Sequence, residues 1–219
     1  MTPPSRGLLD LSPVVPVVTI FDPAQAVPVA RALLSGGIPI IELTLRTQHA
    51  LQGLSAIAAE VPDILLGAGS VLTPKQADLA VDHGARFLVS PGASPGLLQH
   101  LVEIGLPVLP GVATVSEMLT ALDHGLTELK FFPAGPAGGP AYLAAVASPV
   151  PQLRFCPTGG VTLENLGDYL ALPNVAAVGG SWITPAKALA EQDWRRVSML
   201  ARDARRLAEA SRRKTSTID

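Results

Sequence analysis

The chain has 219 residues, a formal net charge of −2, and a composition that is 48% hydrophobic but only 4% aromatic. That length allows one large domain with a substantial core of Leu, Val, Ile and Ala, the diet of buried parallel strands. The charge argues against nucleic acid or an anionic membrane as partner, and no apolar run reaches the roughly 18–20 residues that span a bilayer.

Met1 to Ser12 lacks the charged-then-apolar pattern of a signal peptide, so a leader over residues 1–12 and a cytoplasmic location are expected. Cys156, the single cysteine, rules out an intrachain disulfide or a cysteine-cluster metal site and fits a reducing compartment as a small buried hydrophobe. A short helix is read around Ser5 to Leu11. Apolar runs of strand length then begin near Val15, Pro39, Ile64, Ala85, Pro107, Thr127, Leu153 and Val175, a spacing of roughly 20–26 residues. Pro28 marks the start of the first helix or a kink in it.

Between the runs lie helical patterns with explicit punctuation. Thr73-Pro74-Lys75-Gln76 and Thr114-Val115-Ser116-Glu117 read as capping boxes, and Ser94-Pro95 opens another helix. Gly84, Gly105 and Gly125 sit where those helices should stop. Thr162 and Thr184-Pro185 are read as opening two later helices. Asp193 to Ala210 forms an arginine-rich closing helix, and Ser211 to Asp219 has no apolar anchor and is expected to fray.

Strands alternating with helices at this period predict right-handed βαβ units and a parallel sheet. Eight strands suit a single-domain (β/α)8 barrel over residues 1–219, smaller than the usual ~250 residues. A doubly wound open sheet is the alternative, but no G-x-G-x-x-G follows the first strand.

The chemistry is expected at the C-terminal ends of the strands. Glu128-Leu129-Lys130-Phe131-Phe132 places Lys130 and Phe132 opposite Leu129 and Phe131. Desolvation lowers a lysine's proton affinity, and a neutral amine attacks carbonyls; a stem-buried lysine whose head reaches water is the plainer reading. In the second strand Glu42, Thr44 and Arg46 share one face, opposite Ile41, Leu43 and Leu45. A buried Glu42 needs a partner, either Arg46 nearby or Lys130 across the sheet, and an internal ion pair alone would satisfy it.

Thr158-Gly159-Gly160 and Gly179-Gly180-Ser181 follow the seventh and eighth strands, where backbone N–H groups bind phosphate in such barrels. Gly67-Ala68-Gly69-Ser70 and Ser90-Pro91-Gly92 leave room for a ligand, or simply turn. His49, His83, His100 and His124 fall in helical segments, three near C-termini, and read as surface caps. No spacing suits a metal site, so a reaction without metal or other cofactor is expected.

Together, Gly36-Gly37-Ile38 before Glu42-Leu43-Thr44-Leu45-Arg46-Thr47, Gly67-Ala68-Gly69-Ser70, Ser90-Pro91-Gly92, Leu109-Pro110-Gly111, Leu129-Lys130-Phe131-Phe132-Pro133, Arg154 to Gly160, and Gly179-Gly180-Ser181-Trp182 resemble the class I 2-keto-3-deoxy-6-phosphogluconate (KDPG) and 2-keto-4-hydroxyglutarate (KHG) aldolases. The likeness runs from about Pro13 to Asp203; Ser70 stands where threonine is common, and the loop Gly135 to Pro140 is unusually rich in proline. The resemblance implies a homotrimer of barrels that reversibly cleaves a keto-acid phosphate to pyruvate and glyceraldehyde 3-phosphate, and also 4-hydroxy-2-oxoglutarate to pyruvate and glyoxylate.

It implies Lys130 as Schiff-base nucleophile and Glu42 as proton carrier. Arg46 and Ser70 would hold the carboxylate, and Phe132 would wall the imine. Pro91 would line the site, with Thr158, Gly159, Gly160, Gly179, Gly180 and Ser181 around the phosphate. A metal-free phosphosugar isomerase or epimerase, or a sugar-phosphate-binding protein without catalysis, would need the phosphate loops but not Lys130 with a carboxylate-gripping arginine.

Overall fold

Short runs of valine, isoleucine and leucine form strands because branched side chains pack well on a pleated surface covered on both faces. The structure is a computed structural model that describes residues 7–215. Its strands are β1 (Val14–Val18), β2 (Ile40–Thr44), β3 (Leu65–Gly69), β4 (Phe87–Val89), β5 (Val108–Leu109), β6 (Gly111–Val112), β7 (Glu128–Phe131), β8 (Arg154–Pro157) and β9 (Val178–Gly180). They alternate with helices α1 (Ala26–Ser35), α2 (Ala50–Glu60), α3 (Pro74–Asp82), α4 (Pro95–Glu103), α5 (Val115–Asp123), α6 (Gly139–Val146), α7 (Leu166–Leu170), α8 (Ala186–Ala190) and α9 (Trp194–Thr215).

The result is an α/β fold around a curled parallel sheet. One sheet runs β5-β4-β3-β2-β1-β9 and a second runs β6-β7-β8, all paired in parallel. The expected unbroken set of eight strands is therefore corrected. The fifth is split at Pro110, which has no N–H for the ladder, although its carbonyl accepts from Lys130 at 3.0 Å. Single bridges, Phe155–Val175 and Thr158–Gly179, tie β8 to the last segment. Val175 is thus a bridge residue, and regular pairing begins at Val178.

Several local expectations are also adjusted. The leader's helix is a 3-10 turn at Leu8–Asp10, and its first residues lie outside the described ones. Pro28 sits in the first turn of α1, where a missing N–H costs no intrahelical bond. The closing helix is described as far as Thr215, with the last four residues outside those described. Its inner face rests on the end of α1, where a Cβ on Gly36 would lie 2.4 Å from that of Ala201.

Gln76 accepts from Leu72 N–H at 2.8 Å, not from the Thr73 N–H its capping box required. Asn165, not Thr162, stands at the cap of α7, and Pro185 precedes α8 while the buried Thr184 hydroxyl has no partner among the described residues. His49 lies at the N-cap of α2, whereas His83, His100 and His124 end or approach the ends of α3, α4 and α5.

The Thr114 box is complete. Its hydroxyl accepts from Glu117 N–H at 3.3 Å, and the Glu117 carboxylate takes the N–H groups of Ala113 and Thr114 at 2.8 and 2.9 Å. Partial burial works against the Glu117 charge, but these hydrogen bonds outweigh it and hold the carboxyl below its ordinary range. A depressed folded-state value contributes stability above the unfolded pKa and loses it as pH falls through the folded one. Urea unfolding should therefore show Glu117→Ala less stable than the wild type by about 1 kcal/mol at neutral pH, with the gap closing below about pH 4. A gap unchanged by acid would contradict this account of the cap.

Candidate active site

Period two along β2 decides what faces the interior. Leu43 turns outward onto α2, where a Cβ on Gly53 would lie 3.2 Å from it, so Glu42 and Thr44 turn inward. On β7, Lys130 reaches them from across the sheet. Its Nζ lies 3.1 Å from Glu42 Oε1 and 3.5 Å from Oε2, with the two residues only 4% and 2% exposed. No other ion pair among the described residues is buried on both sides. Glu42's partner is therefore Lys130, not Arg46.

The glycines of β3 make room for protein side chains. A Cβ on Gly67 would lie 2.3 Å from the Phe87 ring, and one on Gly69 would lie 2.1 Å from Glu42 Oε1. Both lie within β3 and so serve no turn. Cys156 is the Cα partner of Lys130 on β8, and burial pushes its thiol up to about 12, so it stays protonated.

Arg46, exposed just beyond β2, donates from Nε to Ser70 Oγ at 2.9 Å. Ser70 adopts a left-handed backbone, φ +58°, which presents its hydroxyl to that guanidinium. Phe132 follows β7 and places its ring centroid 5.5 Å from Lys130 Nζ. Pro91 packs closely on Gly111, where a Cβ would meet its carbonyl carbon at 2.2 Å.

The glycine loops are built by different constraints. Gly159 and Gly160 have φ of +89° and +88°, which side chains rarely adopt. Gly179 and Gly180 are glycines because a Cβ would strike Thr158 Oγ1 and the Trp182 ring respectively. Thr158 is bridged to Gly179, and Ser181 is exposed at the end of β9.

Two features were not legible as site parts. Ala134 and Gly135 N–H groups bond the Thr158 and Gly159 carbonyls, both at 2.8 Å, stitching the proline-rich loop to the glycine pair. Thr19 places its hydroxyl 2.7 Å from that of Thr44. Thr19 stands two residues after Val17, the β1 partner of Glu42, a register that the sequence does not signal. Among the described residues no three His, Cys, Asp or Glu side chains converge as metal ligands.

The family model for KDPG and KHG aldolase matches residues 7–200. The chain belongs to the KDPG and KHG aldolase family. It is 48% identical over 200 residues to the 2-dehydro-3-deoxy-phosphogluconate aldolase of Dickeya dadantii, covering 91% of this chain and 94% of that one. It is 46% identical to the KHG/KDPG aldolase of Escherichia coli K12 at the same coverage. The KDPG aldolase of Legionella pneumophila, solved with pyruvate captured as a covalent carbinolamine, superposes with a TM-score of 0.88 at 44% identity, over 90% of this chain and 96% of that one. That of Zymomonas mobilis, solved with 3-phosphoglycerate, gives 0.85 at 43%, over 90% and 92%.

The crowding at Gly69 gives a direct test of the pair's placement in this family member. Gly69→Ala should destabilise the fold by about 1–3 kcal/mol in denaturant titrations, because its Cβ displaces the carboxylate from Lys130. Combining it with Glu42→Ala, which empties that space, should add much less than the sum of the single effects. Full additivity would mean that Glu42 does not occupy the space above Gly69.

Proposed function

We propose that this chain is a Schiff-base aldolase that reversibly cleaves 2-dehydro-3-deoxy-6-phosphogluconate to pyruvate and D-glyceraldehyde 3-phosphate, and also cleaves 4-hydroxy-2-oxoglutarate to pyruvate and glyoxylate. The observation that carries this reading is a buried lysine hydrogen-bonded to a buried carboxylate, Lys130 on Glu42. A relative of the same fold holds pyruvate as a covalent carbinolamine.

In this reading the pair hands a proton from Nζ to the carboxylate, leaving a neutral amine that attacks the C2 carbonyl. Glu42, acting through water, returns the proton as the carbinolamine hydroxyl leaves, and a protonated imine forms. Removal of the C4 hydroxyl proton then breaks the C3–C4 bond. Its electrons flow into the imine, the aldehyde departs, and an enamine remains. Protonation at C3 and hydrolysis release pyruvate and restore the lysine.

Arg46 and Ser70 grip the pyruvate carboxylate as charge-assisted donors. Phe132 and Pro91 shield the imine. Thr158, Gly159, Gly160, Gly179, Gly180 and Ser181 form the phosphate end, in keeping with the 3-phosphoglycerate bound by the Zymomonas relative. The same reading takes the sheet as a closed eight-stranded (β/α)8 barrel in one domain, with β5 and β6 counted as one strand and the Thr158–Gly179 bridge supporting closure. It takes the assembly as a cytoplasmic homotrimer, in which contacts between copies would cover exposed apolar side chains such as Phe21 and Leu72.

The experiment is pyruvate release from phosphorylated 2-keto-3-deoxy acids and unphosphorylated 2-keto-4-hydroxy acids. Both should yield pyruvate, whereas an isomerase or a binding protein would yield none. Gly160→Ala, strained at its positive φ, should lower kcat/KM for the phosphorylated substrate by roughly one to two decades and spare the other. Equal losses on both would remove the loop from the phosphate site.

A further inference from the structure

The Thr19–Thr44 contact lies beside the machinery just described. Val17 pairs with Glu42, so two residues on Thr19 stands level with Thr44, whose own partner on β3 is Gly69. The Glu42 carboxylate occupies the space above Gly69, and it therefore rises from its own level toward that of Thr44. Arg46, bonded to Ser70, follows two residues beyond Thr44. Along the chain the order is proton carrier and hydroxyl on β2, about 7 Å of strand apart, then the carboxylate grip in the turn that follows.

Thr44 is fully buried, and a hydroxyl without a partner is costly there. A valine would fill the same volume without that cost. Two hydroxyls in contact use one proton between them, so one O–H of the pair is left to donate. Among the described residues neither hydroxyl has a second partner. In the Schiff-base reading, a 2-oxo acid joined to Lys130 at C2 and held at C1 by Arg46 would pass this point and bring an acceptor.

We propose that Thr44 contacts substrate, donating its hydroxyl proton to the carboxylate of the pyruvate half, and that Thr19 is a positioning residue that donates to Thr44 and so fixes the direction of that proton. The proposal rests on the Schiff-base reading above. It assigns recognition of the 2-oxo acid to a hydroxyl pair in addition to Arg46 and Ser70.

The test is steady-state kinetics of the condensation of pyruvate with glyceraldehyde 3-phosphate. Thr44→Val should raise KM for pyruvate about tenfold and leave KM for the aldehyde phosphate unchanged. Thr44→Ser, which keeps the hydroxyl, should restore it. Thr19→Val should move KM for pyruvate in the same direction by less, and the double valine variant should match Thr44→Val alone because Thr19 acts through Thr44. A folded Thr44→Val with wild-type KM for pyruvate, an equal rise in both KM values, or full additivity with Thr19→Val would overturn the proposal. A wild-type enzyme that condenses no pyruvate at all would instead overturn the aldolase reading on which it rests.

Discussion

An ammonium and a carboxylate placed together inside a protein must satisfy each other, because the cost of taking both from water is several kcal/mol per ion. The Lys130–Glu42 pair is that constraint here. It demands two inward-facing positions on β2 and β7, one side chain reaching across the sheet, and empty space where a Cβ on Gly69 would intrude. Apolar residues of matched volume would fold as well or better. The retention of an ion pair at this depth is therefore a statement about chemistry more than about stability.

The surroundings divide their work by strand end. Just beyond β2 and β3 stand Arg46 and Ser70, which meet each other outside the buried pair. β8 and β9 end in glycine loops that are held together by the Thr158–Gly179 bridge and stitched to the loop after β7. Lys130 thus lies between the Arg46–Ser70 side and the side built from glycine-loop backbone. The opposite end of the sheet is closed by different means, with Arg154 bridging Glu128 at 3.0 Å and also pairing with Asp10 of the leader turn. There burial raises the Glu128 carboxyl against the opposing pull of the Leu9 N–H and Arg154.

Strand starts were legible because apolar runs and helix caps punctuate the chain, and Lys130 and Glu42 were legible because alternation puts a charge where only a partner can keep it. Which partner Glu42 takes was not legible. Arg46 is close in sequence, but the strand ends before it, so its guanidinium turns to Ser70. The break at Pro110 follows from a missing N–H, yet its carbonyl still serves Lys130, so the run reads as one strand in sequence. The purpose of Gly67 and Gly69 was hidden because glycine tells of absent atoms and not of what fills the space. Thr19 was invisible for a related reason: its meaning comes from register between two strands, which pattern alone does not report.

The central claim is that Lys130 is the nucleophile, and chemical trapping tests it most directly. The protein is incubated with pyruvate and borohydride, digested, and the modified residue located by peptide mass spectrometry. The account predicts a stable reduced adduct on Lys130, formed equally in the presence of a metal chelator and absent in Lys130→Met. An adduct on another lysine, or activity abolished by chelator and restored by a divalent cation, would contradict it.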